Sequence, residues 1–326
     1  MTTKPKAFQE PDFESLLHDY VAFAVEHCAA NDEEKAAVLQ EALTNDGELL
    51  AQVLQALVLK YIADTREKNY WALQMFRKYV TETNMVDLLA MQYSLKRQTL
   101  VQEDNSVFPP KTAIMESNHD LLRRFDLAPY QFHTTGTRLG YKFHALTLDE
   151  RPNITVESEE GAVVVRYKFP NEALANPVKD ASARMLEPNS GKVQVAILSR
   201  ENEQGIPTEA LLTRVEKYLN RDDIAQESDE VTTKAAVIKP YRIHVTLYTG
   251  ADPSNHVTQE QSEQVGLAFA GSKHQLNTIV DREEVAHEFY ELGVKRVKVL
   301  EPVSDVECQW DEAPYCNEVI VDVRSE

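Results

Sequence analysis

The chain has 326 residues, 43% of them apolar, which is more than one core usually organises, so two or three domains are expected. Its 34 basic and 53 acidic residues leave a formal net charge of −19, and a surface that acidic repels phosphate, which argues against nucleic acid and anionic membranes as partners. Glycine is scarce, at 10 residues, so glycine-rich phosphate loops are not expected.

The first segment (MTTKPKAFQEPDF) lacks the apolar core of a signal peptide, which points to a soluble protein made in the cytoplasm. Residues 12–98 read as helical. Asp12 can cap a helix that starts at Phe13 and whose apolar face carries Phe13, Leu16, Leu17, Tyr20 and Val21. A second helix covers roughly Asp32 to Leu43. A third starts near Asn45–Glu48 and runs to about Val80. On a wheel of about 100° per residue, its Leu49, Leu50, Val53, Leu54, Leu57, Val58, Leu59, Tyr61 and Ile62 cover most of the circle. A helix on the surface of one domain needs only a stripe, so this one is expected to be surrounded, in a large domain or in a bundle shared between chains. Phe13, Leu16, Leu17, Leu50, Val53, Leu54, Leu57 and Tyr61 are the candidate bundle residues. With Gln52, Gln55 and Lys60, the stretch Leu49 to Ala63 is too polar and too short to span a bilayer. The aromatic residues further on (Tyr70, Trp71, Phe76) are expected in a core. A last helix, Met85 to Leu95, is expected to pack through Leu88, Leu89 and Met91.

Residues 99–112 read as a linker, since Pro109–Pro110 favours extended chain. Helices follow near Ser117 to Phe125 and Thr137 to Leu146. Residues 154–169 alternate as a hairpin with Glu-Glu-Gly at the turn, and residues 170–190 read as loop. From Val193 to Asn202 the chain reads as a strand and turn, followed by Pro207 in a first helical turn and a helix with Leu211, Leu212, Val215 and Leu219 inside. Val231 to Tyr248 gives one or two strands broken near Pro240. Helices from Gln259 to Ala270 and Asp281 to Leu292, then strands Val294 to Leu300 and Glu318 to Val323, complete the chain. The fold class is α+β: a helical region over 1–98, linker and middle helices over 99–150, an inserted hairpin and loop over 151–190, and a C-terminal sandwich over 191–326. Its helices are expected on one face of a mainly antiparallel sheet.

Motifs that carry chemistry are weak throughout. His287-Glu288 continues as HEFYE, not HExxH, so a second zinc ligand is missing. His27 and Cys28 are adjacent and cannot meet on one helix face. Ser190-Gly191-Lys192 resembles the end of a phosphate loop, but the position five before Gly191 is Leu186. Cys28, Cys308 and Cys316 have no CxxC spacing, and three thiols cannot all pair within one chain, so a disulfide framework is not expected. No catalytic, metal or cofactor residues are assigned, and no enzymatic activity is expected. Residues 301–326 carry eight acidic residues and one basic, which fits a solvated terminus or docking to a basic partner.

Six stretches, in order, resemble the Baseplate J-like family of contractile phage tails. They are Pro11-Asp12-Phe13-Glu14-Ser15-Leu16-Leu17; Val86-Asp87-Leu88-Leu89-Ala90 with Lys96-Arg97; Met115-Glu116-Ser117-Asn118 with Asp120 and Arg123-Arg124; Gly140-Tyr141-Lys142-Phe143-His144-Ala145; Val193 to Asn202; and Tyr315-Cys316. The extra hairpin and loop over residues 150–188 depart from the family's pattern. The resemblance implies a structural component of the baseplate wedge, located in the virion tail. Its implied partners are other baseplate wedge proteins, a second copy of itself, and neighbouring wedges in a sixfold ring around the central hub. It implies no cofactor. An equivalent subunit of a phage-tail-like bacteriocin or injection system, or an acidic cytoplasmic adaptor unrelated to tails, are the alternatives. If the assembly rearranges on contraction, Pro109–Pro110 and the 170–190 loop are the expected hinges.

Overall fold

The first helices begin where side-chain caps are available. In the computed structural model, which describes residues 5–132, 136–159, 162–168, 176–250 and 257–325, helix α1 spans Phe13–Ala29 and α2 spans Glu33–Thr44. Asp12 accepts from the Ser15 N–H and Asp32 from the Lys35 N–H, each at 3.1 Å. The long helix α3, Leu49–Gln74, stops before Val80 because Gln74 turns the chain. Its Oε1 accepts from the backbone N–H groups of Thr81 at 2.8 Å and Glu82 at 3.1 Å. Helix α4 then covers Thr83–Ala90. These elements form one compact unit, Met1–Ser94. Asn69 straps the preceding chain onto α3, accepting from Phe8 N–H at 2.8 Å and donating to Phe8 C=O at 3.0 Å.

The core of this unit is thin. Ala36, Leu43, Ala51, Val58, Ile62, Val80, Val86, Leu89 and Ala90 are its buried apolar residues, and α1 buries none completely. Two expectations are corrected. Leu88 and Met91 are exposed, and α4 packs through Val86, Leu89 and Ala90 instead. Tyr70, Trp71 and Phe76 are exposed rather than core, because α3 meets its own unit along one side only, with Tyr70 and Trp71 off that side and Phe76 just beyond the helix end.

The second unit, Leu95–Glu326, opens with the segment expected to be a linker. It is a hairpin: β1, Thr99–Val101, pairs antiparallel with β2, Ile114–Met115, and Asp104 and Lys111 exchange backbone hydrogen bonds of 2.9 and 3.0 Å beyond them. Pro109 and Pro110 sit in its loop, where no ladder N–H is needed. Helices α5 (Asn118–Leu127) and α6 (Arg138–Leu146) follow, capped by Ser117 and Thr137. Strands β3 (Asn153–Glu159) and β4 (Ala162–Lys168) form the expected antiparallel hairpin, and its Glu-Glu-Gly turn includes residues outside those described.

The 170–190 loop is also corrected: Val178–Met185 is a strand, β5, with Val178, Asp180, Ala181 and Ala183 buried. It continues into β6 (Lys192–Ser199), α7 (Glu209–Leu219), β7 (Glu230–Ala235) and β8 (Val237–Thr249). The remaining elements are α8 (Gln259–Lys273), β9 (Ile279–Val280), α9 (Arg282–Tyr290), β10 (Arg296–Glu301), β11 (Val306–Glu307) and β12 (Glu312–Ser325). Pro207 precedes the Thr208 cap of α7 rather than entering its first turn. Pro240 does not break β8. Strand β10 reaches β8 only from His244 to Tyr248, so at Pro240 only β12 is alongside and a missing N–H is tolerated.

The class is α+β, with two mixed three-stranded sheets, β5-β6-β7 and β10-β8-β12. A mainly antiparallel sheet is not what forms: β6–β7 and β8–β12 are parallel, the latter from Glu312↔Val237 to Ser325↔Thr249. Connections through α7, and through α8 and α9, supply the length that parallel neighbours require. Helices α8 and α9 cover the second sheet over Ile243, Val245, Leu247, Phe269, Val285 and Phe289. Strand β6 is buried along both faces; its Ala196 and Leu198 pack with Leu276 and Ala313.

Candidate assembly interface

Helix α3 carries two apolar stripes. Ala51, Val58, Ile62, Thr65 and Asn69 recur at helical spacing and face the unit's interior. Leu50, Val53, Leu57 and Tyr61 recur in steps of three, four and four, a second line offset from the first by about a third of a turn. All of them are exposed, Leu57 by 56% while the adjacent Val58 is at 0%. After a polar waist at Asp64 and Lys68, where Asp64 holds Lys60 at 2.6 Å, Trp71 and Met75 continue the same line and are exposed too. From Leu50 to Met75 it runs about 38 Å at 1.5 Å per residue.

The candidate bundle residues therefore divide. Leu50, Val53, Leu57 and Tyr61 stand on the open stripe. Phe13, Leu16, Leu17 and Leu54 are half-buried. α1 packs on α2 and α3, and the Tyr20 ring lies 6.4 Å from that of Tyr61, tilted by 59°. Trp71, Met75 and the exposed Phe23 on α1 belong to the open surface and were not among the bundle residues expected from sequence. For Trp71 and Met75 the signal was present, since they extend the Leu50–Tyr61 spacing, but an aromatic run reads first as core. Trp71 is steadied by neighbours on its own helix: its ring meets Tyr70 edge-on at 5.3 Å, and Tyr70 donates to Glu82.

In the second unit, the Glu116…Arg123-Arg124 stretch builds buried charge pairs. Arg124 donates to both Glu116 oxygens at 2.8 and 2.7 Å, and to Glu150 at 3.2 Å. Burial acts to lower the Arg124 guanidinium, but its hydrogen bonds to Glu116 and the carboxylate charges outweigh that and hold it above its usual value. Burial raises Glu150 against the pull of Arg124. Asp180, at 0% exposure on β5, is held by Arg123, by Lys142 at 3.0 Å and by the Leu276 N–H at 2.9 Å. A cavity of about 10 Å³, bordered by Arg124, Lys179 and Arg200, is water-sized. These contacts join α5, α6 and β5; they pair charges rather than gather them around a space for substrate.

The Ser199-Arg200-Glu201 turn is structural as well. Glu201 accepts from the Thr208 N–H at 2.9 Å, and Thr208 caps α7. Gly205, at φ 83°, approaches Leu198 so closely that an added Cβ would sit 2.4 Å from its Cδ1. Among the described residues no group of three or more His, Cys, Asp or Glu is placed to hold a metal ion, and no helix is long and apolar enough to cross a membrane. His287 is exposed and lies 3.7 Å from Glu291.

An open apolar stripe on a long helix, with no cluster of groups gathered around a substrate space among the described residues, has the chemistry of a surface that docks to other proteins. Over 314 residues the chain is 25% identical to the Baseplate protein J of Escherichia phage P2, an alignment covering 96% of this chain and 93% of that one. No family model matches the chain. Similarity along nearly the whole of both sequences supports a Baseplate J-like family for this chain.

Proposed function

We propose that this protein is a structural component of a contractile-tail baseplate. It enters the wedge through its N-terminal helices, with the Leu50–Val53–Leu57–Tyr61 stripe of α3 packed in a bundle with other wedge proteins and a second copy of itself. Wedges so formed close into a sixfold ring around the central hub, in the virion tail, after synthesis in the host cytoplasm. The observation that carries this reading is the open stripe itself, in a chain similar throughout to a baseplate protein. Removing a half-exposed Leu or Val from water stabilises a contact by about 1 kcal/mol. The four residues, with Trp71 and Met75 beyond the waist, together supply enough to hold a helix in place. The reading is a structural role and no reaction. A bacteriocin or injection-system baseplate would use the same surface.

The test is co-expression with the neighbouring tail proteins, purification through one of them, and mass measurement of the complex. A stable heteromeric complex containing this chain is expected. A chain that stays strictly monomeric beside all of them would refute the wedge role.

A further inference from the structure

The 99–115 hairpin ends in an apolar tip that none of the described residues covers. Val107 and Phe108 stand at the tip with Pro109 and Pro110, and Phe108 is 97% exposed. Val101, Ile114 and Met115, along its length, are exposed as well. The hairpin is built rather than loose: Asp104 and Lys111 exchange backbone hydrogen bonds, and Asp104 accepts from the Ser106 N–H at 2.9 Å. Its foot is tied down near the C-terminal end of α6, where Gln98 donates to the Leu146 C=O at 3.0 Å.

The first turn of α6 borders a recess of about 360 Å³, within the roughly 300–1,000 Å³ typical of pockets that engulf small groups. Leu139, Leu276 and Trp310 give it apolar walls, while Arg138, Lys142 and Arg184 make every charged side chain in its lining basic. In a chain of net charge −19 that lining is unusual. The hairpin has a matching order of chemistry along one strand: an apolar tip, with Glu103 and Asp104 behind it and Lys111 on the strand opposite. Because Phe108 is exposed, the tip is not seated in its own chain's recess.

We propose that the hairpin is a docking arm whose Phe108 tip seats in the Trp310-lined recess of a second copy of this chain. Apolar tip then meets apolar wall, and the Glu103–Asp104 strand, rather than the one that carries Lys111, faces Arg138 and Arg184. Knob and socket are different surfaces of one unit, so the contact is head-to-tail and can pass from copy to copy, closing a ring where the rotation allows. It extends the assembly reading above to a contact separate from the α3 stripe.

Sedimentation of the full-length chain across the micromolar range tests this. Wild type is expected to self-associate. Phe108→Ser, at an exposed tip, is expected to weaken association about tenfold or more, as loss of a single aromatic anchor does, with an unchanged circular-dichroism spectrum. Arg184→Glu should weaken it from the socket side. Mixed together, the two variants should recover a dimer and nothing larger, because one intact tip meets one intact recess. A wild-type chain that remains monomeric, or variants that associate like wild type, would overturn the proposal. Association that survives both variants but is lost in Leu57→Asp would assign self-contact to the α3 stripe, leaving the wedge reading standing and the arm refuted.

Discussion

At the scale of single residues, buried polar groups do most to define the second unit. Asp180 occupies a strand position that its charge would forbid without Arg123 and Lys142 beside it. The Pro, Asn and Ser residues around β5 make 170–190 read as loop; the strand pairs with the adjacent β6, while the groups that hold its buried Asp180 lie far along the chain. His144 shows the other way of burying a titratable group. Burial first, and the nearby Arg151 and Arg221 charges next, push it down to about 4, despite the opposing charge of Asp223. The folded chain thus keeps His144 neutral where the unfolded chain takes a proton. Stability from this group is complete above the ordinary His value near 6.5 and falls as pH drops from there toward 4, by about 1.4 kcal/mol per pH unit. His144→Gln removes the titration. The stability gap between wild type and variant, measured by urea unfolding, should therefore narrow by about 2 kcal/mol between pH 7.5 and pH 5. An unchanged gap would show that His144 titrates normally in the fold.

At the scale of elements, α3 sets adjacent residues to opposite tasks. Val58 is enclosed by its own unit and Leu57 faces outward. Val58→Asp places a carboxylate in a core with no partner and should cost about 3 kcal/mol or more, melting the helical signal of the first unit. Leu57→Asp should change stability by less than about 0.5 kcal/mol, as surface substitutions do, yet remove the chain from complexes with its tail partners in the co-expression assay. Two variants of equal effect on folding would mean that the stripes are misassigned. Leu54 is a poorer probe, since it is half-buried and its loss mixes folding with docking. The spacing of Leu50, Val53, Leu57 and Tyr61 was legible in the sequence, and so was an apolar arc too wide for one face. Which part of the arc is open was not legible, because periodicity reports separation along a helix and not what lies against it. For the same reason Trp71 read as core.

At the scale of the whole molecule, the two compact units are built differently. The first has few fully buried residues for its length, and the second has two three-stranded sheets, one of them packed continuously around Ile243, Val245, Leu247 and Phe289. Calorimetry of the isolated chain should resolve two transitions, the lower belonging to the helical unit. Val58→Asp should abolish the lower one, while Arg124→Met, which strands Glu116 as a buried charge, should shift the upper one alone. A single transition moved equally by both would mean that the units fold as one. On the proposal that tail proteins pack on α3, adding them should raise the lower transition, because ligands that bind only the folded form stabilise it.

The amino-acid sequence by itself determined the helix starts at Asp12, Asp32, Ser117, Thr137 and Asp281, where a short side chain reaches the first free N–H groups. It also determined the β3–β4 hairpin, the α+β class and the resemblance to baseplate proteins, all carried by local pattern. Tertiary structure alone decided that residues 99–115 form a hairpin rather than a linker, that 178–185 join a sheet, and that β8 and β12 run parallel through Pro240. It also decided which stripe of α3 stays open. The β8–β12 pairing joins residues about 75 apart, and the β1–β2 hairpin and β5 lie in Pro- and Asn-containing stretches without clear alternation, so none of these pairings leaves a periodic mark in the chain.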